Sequence, residues 1–195
     1  YSAIPAGARV ADLCAAPGGK GVVLAGAGAW VVASDLSPPR LGRIAQTRAR
    51  LGLSAALALL TADARRPPLR AGSFDAVLLD VPCTGTGTLR RHPDGKWRLR
   101  PEDLAALVQL QREILEAAAD LVKPGGVLVY ATCSLEPEEN EEQVEAFLGR
   151  DDRFEPAPGD HGLDPALTDG NGRLLALPHR TGFDGAFAAR LHRTR

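Results

Sequence analysis

The stretch "DLCAAPGGKG", residues 12–21, decides the fold. It follows the short apolar run "ARVADLC" and leads into "GVVLAGAG", so a buried strand, a glycine-rich turn and a helix follow one another. This succession begins a parallel α/β sheet, in which ligands bind outside the carboxyl ends of the strands. The glycine-rich turn is therefore the first place to look for a binding site.

Outward from this turn, strands and helices alternate along the chain. The predicted strands are "AWVVASD", "AALALLTAD", "FDAVLLDVP" and "GVLVYAT", and the predicted helices are "PPRLGRIAQTRARLGL", "RPEDLAALVQLQREILEAAADLVKPGG" and a segment from about Pro137 to Gly149. The tail "RLLALPHRTGFDGAFAARLHR" predicts two strands joined by a polar turn, after the long polar connection "DDRFEPAPGDHGLDPALTDGNG". We therefore expect one α/β domain over residues 1–195: a Rossmann-like, mostly parallel seven-stranded sheet with an antiparallel C-terminal hairpin and helices on both faces.

Composition narrows the class of protein. The 195 residues are 45% hydrophobic and 24% charged with a net charge of -1, which is typical of a globular domain and argues against a membrane protein. Three scattered cysteines exclude a disulfide framework and favour a cytoplasmic location. We expect no membrane partner and a monomer. Because the chain begins at Tyr1 and contains no Met, we expect it to be a fragment or a processed product.

The spacing within the glycine-rich turn excludes the two common phosphate-binding loops. Cys14 stands where a Walker loop needs its first Gly, Gly21 stands where that loop needs Ser or Thr, and the dinucleotide pattern G-x-G-x-x-G fails in every register. An adenosine-bearing cofactor without phosphates remains, and S-adenosylmethionine fits. Asp35 ends the second strand, where it would accept from ribose hydroxyls, and Asp63 could accept from the adenine amino group. The alternative is a structural turn with surface Asp caps.

Three interpretations compete for the cysteines Cys14, Cys83 and Cys133. A metal site is disfavoured because no C-x-x-C pair exists. Burial as small apolar residues is the usual fate of free cysteine and suits the Cys14 side chain. A nucleophile is the third interpretation, because Cys83 and Cys133 each follow an apolar strand.

Pyrimidine chemistry favours the nucleophile. A thiolate that adds to carbon 6 makes carbon 5 enamine-like, so methyl transfer from a sulfonium becomes possible. Asp80, three residues before Cys83, would donate a proton to ring nitrogen 3 if it is protonated. The acidic segment after Cys133 would raise the pKa of that thiol, whereas a following helix N-terminus would lower it, and the sequence leaves the balance open.

Four stretches together resemble the RNA 5-methylcytosine methyltransferases of the Sun/Fmu (RsmB-like) family. They are "DLCAAPGGK", "DVPCTGTGTLRRHPDGKW", "LQREILEAAADLVKPGGVLVYATCS" and "EPEENEEQVEAFL", and the closing "DGAFAARLHR" is similar to the family's last hairpin. The resemblance implies a methyltransferase fold, S-adenosylmethionine as methyl donor and an RNA substrate, most simply 16S-type ribosomal RNA. Transfer RNA, a small-molecule substrate or a non-catalytic RNA-binding relative are the alternatives.

The same resemblance assigns roles to individual residues. It makes Cys133 of "TCS" the nucleophile, Cys83 of "PC" the residue that assists product release, and Asp80 the acid that faces the target base. It implies a cofactor site formed by Cys14, Ala15, Ala16, Pro17, Gly18, Gly19, Lys20, Asp35, Asp63 and Asp80. The chain departs from the family in "DGAF", where two aromatic residues are usual, and in lacking the upstream RNA-binding segment that family members carry.

Charge is distributed unevenly around this predicted site. "LRRHPDGKWRLR", residues 89–100, carries five Lys or Arg against one Asp, and residues 134–146 carry six Glu without a basic residue. The basic segment predicts RNA contacts, which would come from Arg90, Arg91, Lys96, Trp97 and Arg98. Trp97 could instead pack in the core. We interpret His92 as structural and the acidic segment as a solvated helix face outside the chemistry.

Overall fold

The computed structural model describes residues 3–157 and 164–195. Strands and helices alternate as the sequence predicts. The strands are β1 (Arg9–Asp12), β2 (Trp30–Asp35), β3 (Leu57–Thr61), β4 (Phe74–Asp80), β5 (Val122–Thr132), β6 (Phe154–Pro156), β7 (Leu174–Ala176) and β8 (Ala186–Arg193). The helices are α1 (Gly19–Gly26), α2 (Pro38–Arg50), α3 (Pro101–Ala119), α4 (Glu141–Leu148) and α5 (Pro178–Thr181).

All of these strands join one sheet in the order β3-β2-β1-β4-β5-β8-β6, with β7 also paired to β8. The strands β1 to β5 are mutually parallel, and β8 runs antiparallel to β5. The chain moves outward from β1 to β3 and then returns to place β4 on the other side of β1. This reversal opens a crevice at the carboxyl ends of β1 and β4, where a doubly wound sheet binds its ligand.

The strand count differs from the prediction. The described residues form eight strands instead of seven, because β6 and β7 both pair antiparallel with β8, one near each of its ends. The sheet is thus seven positions wide, as predicted, with two short strands sharing the last position. The sequence missed β6 because three residues, Phe154–Pro156, are too few for an alternating pattern to show.

Two hydrophobic cores cover the two faces of the sheet. One contains Ile114 and Leu115 of α3 with Phe147 of α4, and the other contains Leu41 and Ile44 of α2. Neighbouring residues of one strand enter opposite cores because side chains alternate across a strand. Burial on both faces explains why the central strands read as continuous apolar runs.

Smaller differences fall at element ends. Helix α3 begins with Pro101, where the Asp103 carboxylate accepts from the Arg100 N–H, and it ends at Ala119, so Val122 belongs to β5 and not to the helix. The tail contains two strands as predicted, with the short helix α5 in the turn between them. Part of the predicted polar connection, residues 158–163, lies outside the described residues. Among the described residues, no helix is long and apolar enough to cross a membrane.

Candidate active site

The glycine-rich loop between β1 and α1 is hydrogen-bonded to the end of β2. The N–H of Ala15 donates to the Ser34 carbonyl at 2.9 Å, and the N–H of Ala16 donates to the Asp35 carboxylate at 3.2 Å. Gly18 has a φ of +102°, and a Cβ at that position would lie 2.7 Å from Ile44 Cγ1 of α2. The loop therefore needs glycine there both for its backbone conformation and for its approach to α2.

Asp35 is the last residue of β2, as the sequence predicts, and Asp63 lies two residues beyond the end of β3. Asp35 is 5% exposed, accepts from the Ser37 N–H at 2.9 Å and lies 3.6 Å from the Arg40 guanidinium. Asp63 is held by Arg65, whose Nη2 donates to it at 2.6 Å, and this hydrogen bond lowers the pKa of Asp63 to about 2. Both carboxylates line one cavity.

That cavity connects the predicted cofactor residues with the predicted catalytic residues. Its volume is about 580 Å³, and its lining includes Asp35 and Asp63 as well as Asp80, Cys83 and Cys133. The apolar part of its lining includes Leu36, Leu110 and Ile114, and Leu36 is 69% exposed. An uncovered leucine beside two carboxylates suits a ligand with a flat apolar ring and several hydrogen-bond donors.

The two cysteines meet at this cavity. Cys83 Sγ and Cys133 Sγ lie 3.2 Å apart, and the Cys133 N–H donates to Cys83 Sγ at 3.4 Å. The hydrogen bond from Cys83 lowers the pKa of Cys133 to about 7, against burial and the charge of Asp80, which raise it. The same pairing, together with burial, raises the pKa of Cys83. The contact therefore favours Cys133 as the first of the two thiols to ionise.

The sequence left open whether the pKa of Cys133 is raised by the acidic segment or lowered by a helix N-terminus. In the structure the largest effect on this pKa comes from Cys83, which belongs to neither. Burial and the charge of Asp80 raise the pKa of Cys133 by smaller amounts, and the charge of Lys20 lowers it. Cys14 lines the same cavity, but it makes no hydrogen bond to Cys83 or Cys133 among the described residues. It packs against the core, and burial and the nearby Asp12 raise its pKa to about 12. Among the described residues, no group of three His, Cys, Asp or Glu is placed to hold a metal ion.

Asp80 stands between the glycine-rich loop and the cysteines. Lys20 Nζ lies 2.5 Å from Asp80 Oδ2. A smaller cavity of about 190 Å³ adjoins this pair and is lined by Asp12, Lys20 and Asp80. The ion pair fixes the Asp80 side chain at the end of β4, beside the cavity that also contains both cysteines.

Asp12 is an acid to which the sequence analysis gave no role. It is 1% exposed, and although the Gly21 N–H lies close enough to lower its pKa, neither carboxylate oxygen makes a hydrogen bond of full geometry among the described residues. Burial, and next the charge of Asp80, raise the pKa of Asp12 to about 7. A buried, unpartnered carboxylate facing a small cavity is costly unless a donor enters that cavity. The sequence signal was its position as the last residue of β1.

The basic segment lies on the surface. Trp97 is 81% exposed, so the alternative that it packs in the core is wrong, and Lys96 Nζ lies 4.8 Å from its ring centroid. Arg90 and Arg91 form ion pairs with Asp184, which lies in the turn before β8. Arg98 forms an ion pair with Asp94 at 2.9 Å. All five predicted contact residues are exposed, while their contact with RNA stays a prediction.

The interpretation of the acidic segment as a wholly solvated face is wrong. Glu139 is 0% exposed and Asn140 is 1% exposed, and the next turn buries Gln143. Glu138 and Glu142 are exposed as expected. The sequence missed the burial of Glu139 because its partners Gln111 and Thr84 lie 28 and 55 residues away in the chain. The partners of Asn140 are local, since Thr132 and Ser134 lie eight and six residues before it.

The fold and its strand-end cavity are those of a Rossmann-like methyltransferase domain. A sequence model of the family described as "16S rRNA methyltransferase RsmB/F" matches residues 4–192. The chain belongs to this RsmB/F family.

Individual relatives agree with that assignment. The ribosomal RNA small subunit methyltransferase B of Klebsiella pneumoniae subsp. pneumoniae is 46% identical over 181 residues, which is 87% of this chain and 41% of that protein. The crystal structure of PH0851 superposes with a TM-score of 0.88 at 40% identity, covering 97% of this chain and 43% of the other. NSun6 from Pyrococcus horikoshii, solved with SFG, gives a TM-score of 0.80 at 29% identity, covering 96% and 48%. The chain thus spans about two fifths of the length of the curated relatives it matches.

Proposed function

We propose that this chain is the catalytic domain of an S-adenosylmethionine-dependent methyltransferase that modifies carbon 5 of cytosine in RNA, specifically 16S-type ribosomal RNA. The observation that carries the proposal is the pair of cysteine sulfurs 3.2 Å apart in a cavity that Asp80 also lines. Relatives named ribosomal RNA small subunit methyltransferase B support the RNA class. The structure of the Pyrococcus NSun6 with SFG, an analogue of S-adenosylmethionine, supports the methyl donor.

The residues present fit this donor. Asp35 and Asp63 offer acceptors for ribose hydroxyls and an amino group, and exposed Leu36 offers apolar surface to an adenine ring. The unpartnered carboxylate of Asp12 leaves a place for a hydrogen-bond donor under the glycine-rich loop. The loop residues Cys14 to Lys20 would form the rest of the site. When bound, S-adenosylmethionine supplies an electrophilic methyl group beside the thiols.

Catalysis would begin with the Cys133 thiolate. Its sulfur forms a bond to carbon 6 of cytosine, and the electrons of the ring shift onto nitrogen 3. Nitrogen 3 takes up a proton from Asp80, a step that requires Asp80 to be protonated, and so no longer ion-paired with Lys20, once the base is bound. Carbon 5 becomes enamine-like and would accept the methyl group, with S-adenosylhomocysteine as the other product, while nitrogen 3 returns its proton to Asp80. The lowered pKa of Cys133 means that much of this thiol is ionised near neutral pH.

Release would then use Cys83. While Cys133 is a thiolate, its charge and hydrogen bond keep the pKa of Cys83 high, so Cys83 stays protonated. The bond from Cys133 to carbon 6 removes that charge. Cys83 can then lose its own proton to solvent and, as a thiolate, take the proton from carbon 5. The freed electron pair re-forms the ring double bond as the Cys133 thiolate leaves.

Methyl transfer to a defined nucleoside tests the proposal. The full-length protein is incubated with S-adenosylmethionine labelled in its methyl group and with 16S ribosomal RNA, transfer RNA or free cytidine, and the nucleosides are separated after digestion. We expect label in 5-methylcytidine from 16S RNA. Label in transfer RNA alone would show that the substrate is transfer RNA and not ribosomal RNA. RNA binding without any labelled nucleoside would support a non-catalytic RNA-binding relative.

A further inference from the structure

Glu139 is a fully buried carboxylate that the mechanism above does not use. It lies in the turn Pro137–Glu139 that follows Cys133. Its Oε1 accepts from the Thr84 N–H at 3.0 Å, and its Oε2 accepts from the Thr84 hydroxyl at 2.5 Å. Burying a carboxylate is costly unless hydrogen bonds satisfy it. Here those bonds go to the residue directly after Cys83.

Gln111 completes the hold on Cys83 from the other side. Its side-chain amide donates to Glu139 Oε1 at 2.8 Å and to the Pro82 carbonyl at 2.9 Å. The Tyr130 hydroxyl donates to the Glu139 carbonyl at 2.7 Å and to Gln111 Oε1 at 3.2 Å. Both chain neighbours of Cys83 are therefore bonded to a buried network that joins α3 with β5.

Asn140 does for Cys133 what Glu139 does for Cys83. Its Oδ1 accepts from the Thr132 hydroxyl at 2.5 Å, and its Nδ2 donates to the Ser134 carbonyl at 3.0 Å. Thr132 and Ser134 are the two residues that flank Cys133. Two adjacent residues, Glu139 and Asn140, thus bond to the immediate neighbours of both cysteines.

We propose that Glu139 and Asn140 are positioning residues that together set the contact between the two cysteine sulfurs, Glu139 through the Cys83 loop and Asn140 through the residues around Cys133. This role rests on the proposed function for its catalytic meaning. Because the two residues are consecutive, they link both loops to the same short stretch of backbone. A displaced Cys83 would no longer donate to Cys133.

The pH profile of Cys133 alkylation reads out this contact directly. The groups that face the Cys133 thiol are Cys83, Asp80 and Lys20. Of these three, Cys83 is the one whose chain neighbour, Thr84, bonds to Glu139. The Glu139→Gln variant keeps the side-chain volume but replaces one carboxylate oxygen with an NH₂ group. This NH₂ group would face the donors of Thr84 or Gln111 and cannot accept their hydrogen bonds. We expect its iodoacetamide profile, followed at Cys133 by mass spectrometry, to shift about one pH unit upwards, towards the ordinary thiol range.

Matched variants separate positioning from general damage. Glu138→Gln removes the exposed neighbouring charge and should leave the profile unchanged. Asn140→Asp should shift it in the same direction as Glu139→Gln. If Glu139→Gln lowers the folded fraction, Thr84→Val offers a milder change that deletes one donor to Glu139, and a smaller upward shift is expected.

The outcomes distinguish this inference from the proposed function. A folded Glu139→Gln protein with an unshifted Cys133 profile would overturn the positioning role, even if RNA methylation is found. A shifted profile in a protein that methylates no RNA would leave the positioning role standing and reject the proposed function, because alkylation needs neither RNA nor cofactor.

Discussion

Cys133 donates its backbone N–H to Cys83 Sγ, and the two sulfurs lie 3.2 Å apart although 50 residues separate them in the chain. The contact makes the two thiols unequal, with the pKa of Cys133 lowered and that of Cys83 raised. An unequal pair suits a mechanism that needs a thiolate for attack and a protonated partner that becomes a base later.

Trapping with RNA that contains 5-azacytidine tests the assignment of roles. Nitrogen in place of carbon 5 removes the proton whose loss releases the enzyme, so a nucleophile stays attached to the RNA. We expect the unmodified protein and Cys83→Ala to form a covalent adduct visible as a gel shift, and Cys133→Ser to form none. An adduct that is lost in Cys83→Ser and kept in Cys133→Ser would reverse the two roles.

The conformation of Gly18 predicts a sensitive position in the loop. Gly18→Ala places a methyl group 2.7 Å from Ile44 at a φ of +102°, so we expect a loss of about 1–3 kcal/mol in the free energy of unfolding. Urea denaturation measures this loss. Gly42→Ala in α2 is the control: its Cβ meets nothing within 4 Å, and a gain of about 0.5–1 kcal/mol is expected. Equal effects at both positions would contradict the constraint on the loop.

The raised pKa of Asp12 predicts a pH-dependent stability. The folded protein favours the protonated carboxyl up to about pH 7, whereas the unfolded chain ionises it near 3.8. The stabilising preference is complete below pH 3.8 and is lost as the pH rises to about 7. The loss has an upper limit of about 4 kcal/mol, from roughly three pKa units at 1.36 kcal/mol each.

Denaturation from pH 5 to pH 8 checks the Asp12 prediction. Asp12→Asn cannot ionise, so we expect this variant to gain stability relative to the unmodified protein as the pH rises, and to match it most closely at the acid end. A difference between the two proteins that stays constant with pH would show that Asp12 is ionised in the fold throughout this range.

The exposed basic segment predicts a salt-dependent RNA affinity. Lys96→Ala and Arg98→Ala should each weaken RNA binding and reduce the slope of log K against log salt by about 1 if each side chain meets one phosphate. Trp97→Ala should weaken binding with little change in that slope, because stacking releases no counterion. Lys123→Gln, at the start of β5 and so at the opposite edge of the sheet, serves as control and should change neither. Filter binding at several salt concentrations measures all four.

The sequence determined the element order, the position of the glycine-rich loop and the positions of the two cysteines after their strands. These features are local: apolar runs of strand length, glycine at a strand–helix turn and cysteine after a strand each carry their meaning in a few consecutive residues. Parallel strands then bring their carboxyl ends together, so Asp35, Asp63 and Asp80 could be placed at one edge without knowing any contact.

Only the tertiary structure decided the state of the thiols and the role of the acidic run. The pKa of Cys133 depends on a sulfur 50 residues away, and the burial of Glu139 depends on donors from Thr84 and Gln111. In the sequence, Glu139 is indistinguishable from its exposed neighbour Glu138. Burial and hydrogen-bond partners are properties of the packed chain. They distinguish Glu139, which bonds to the loop of Cys83, from the exposed glutamates beside it.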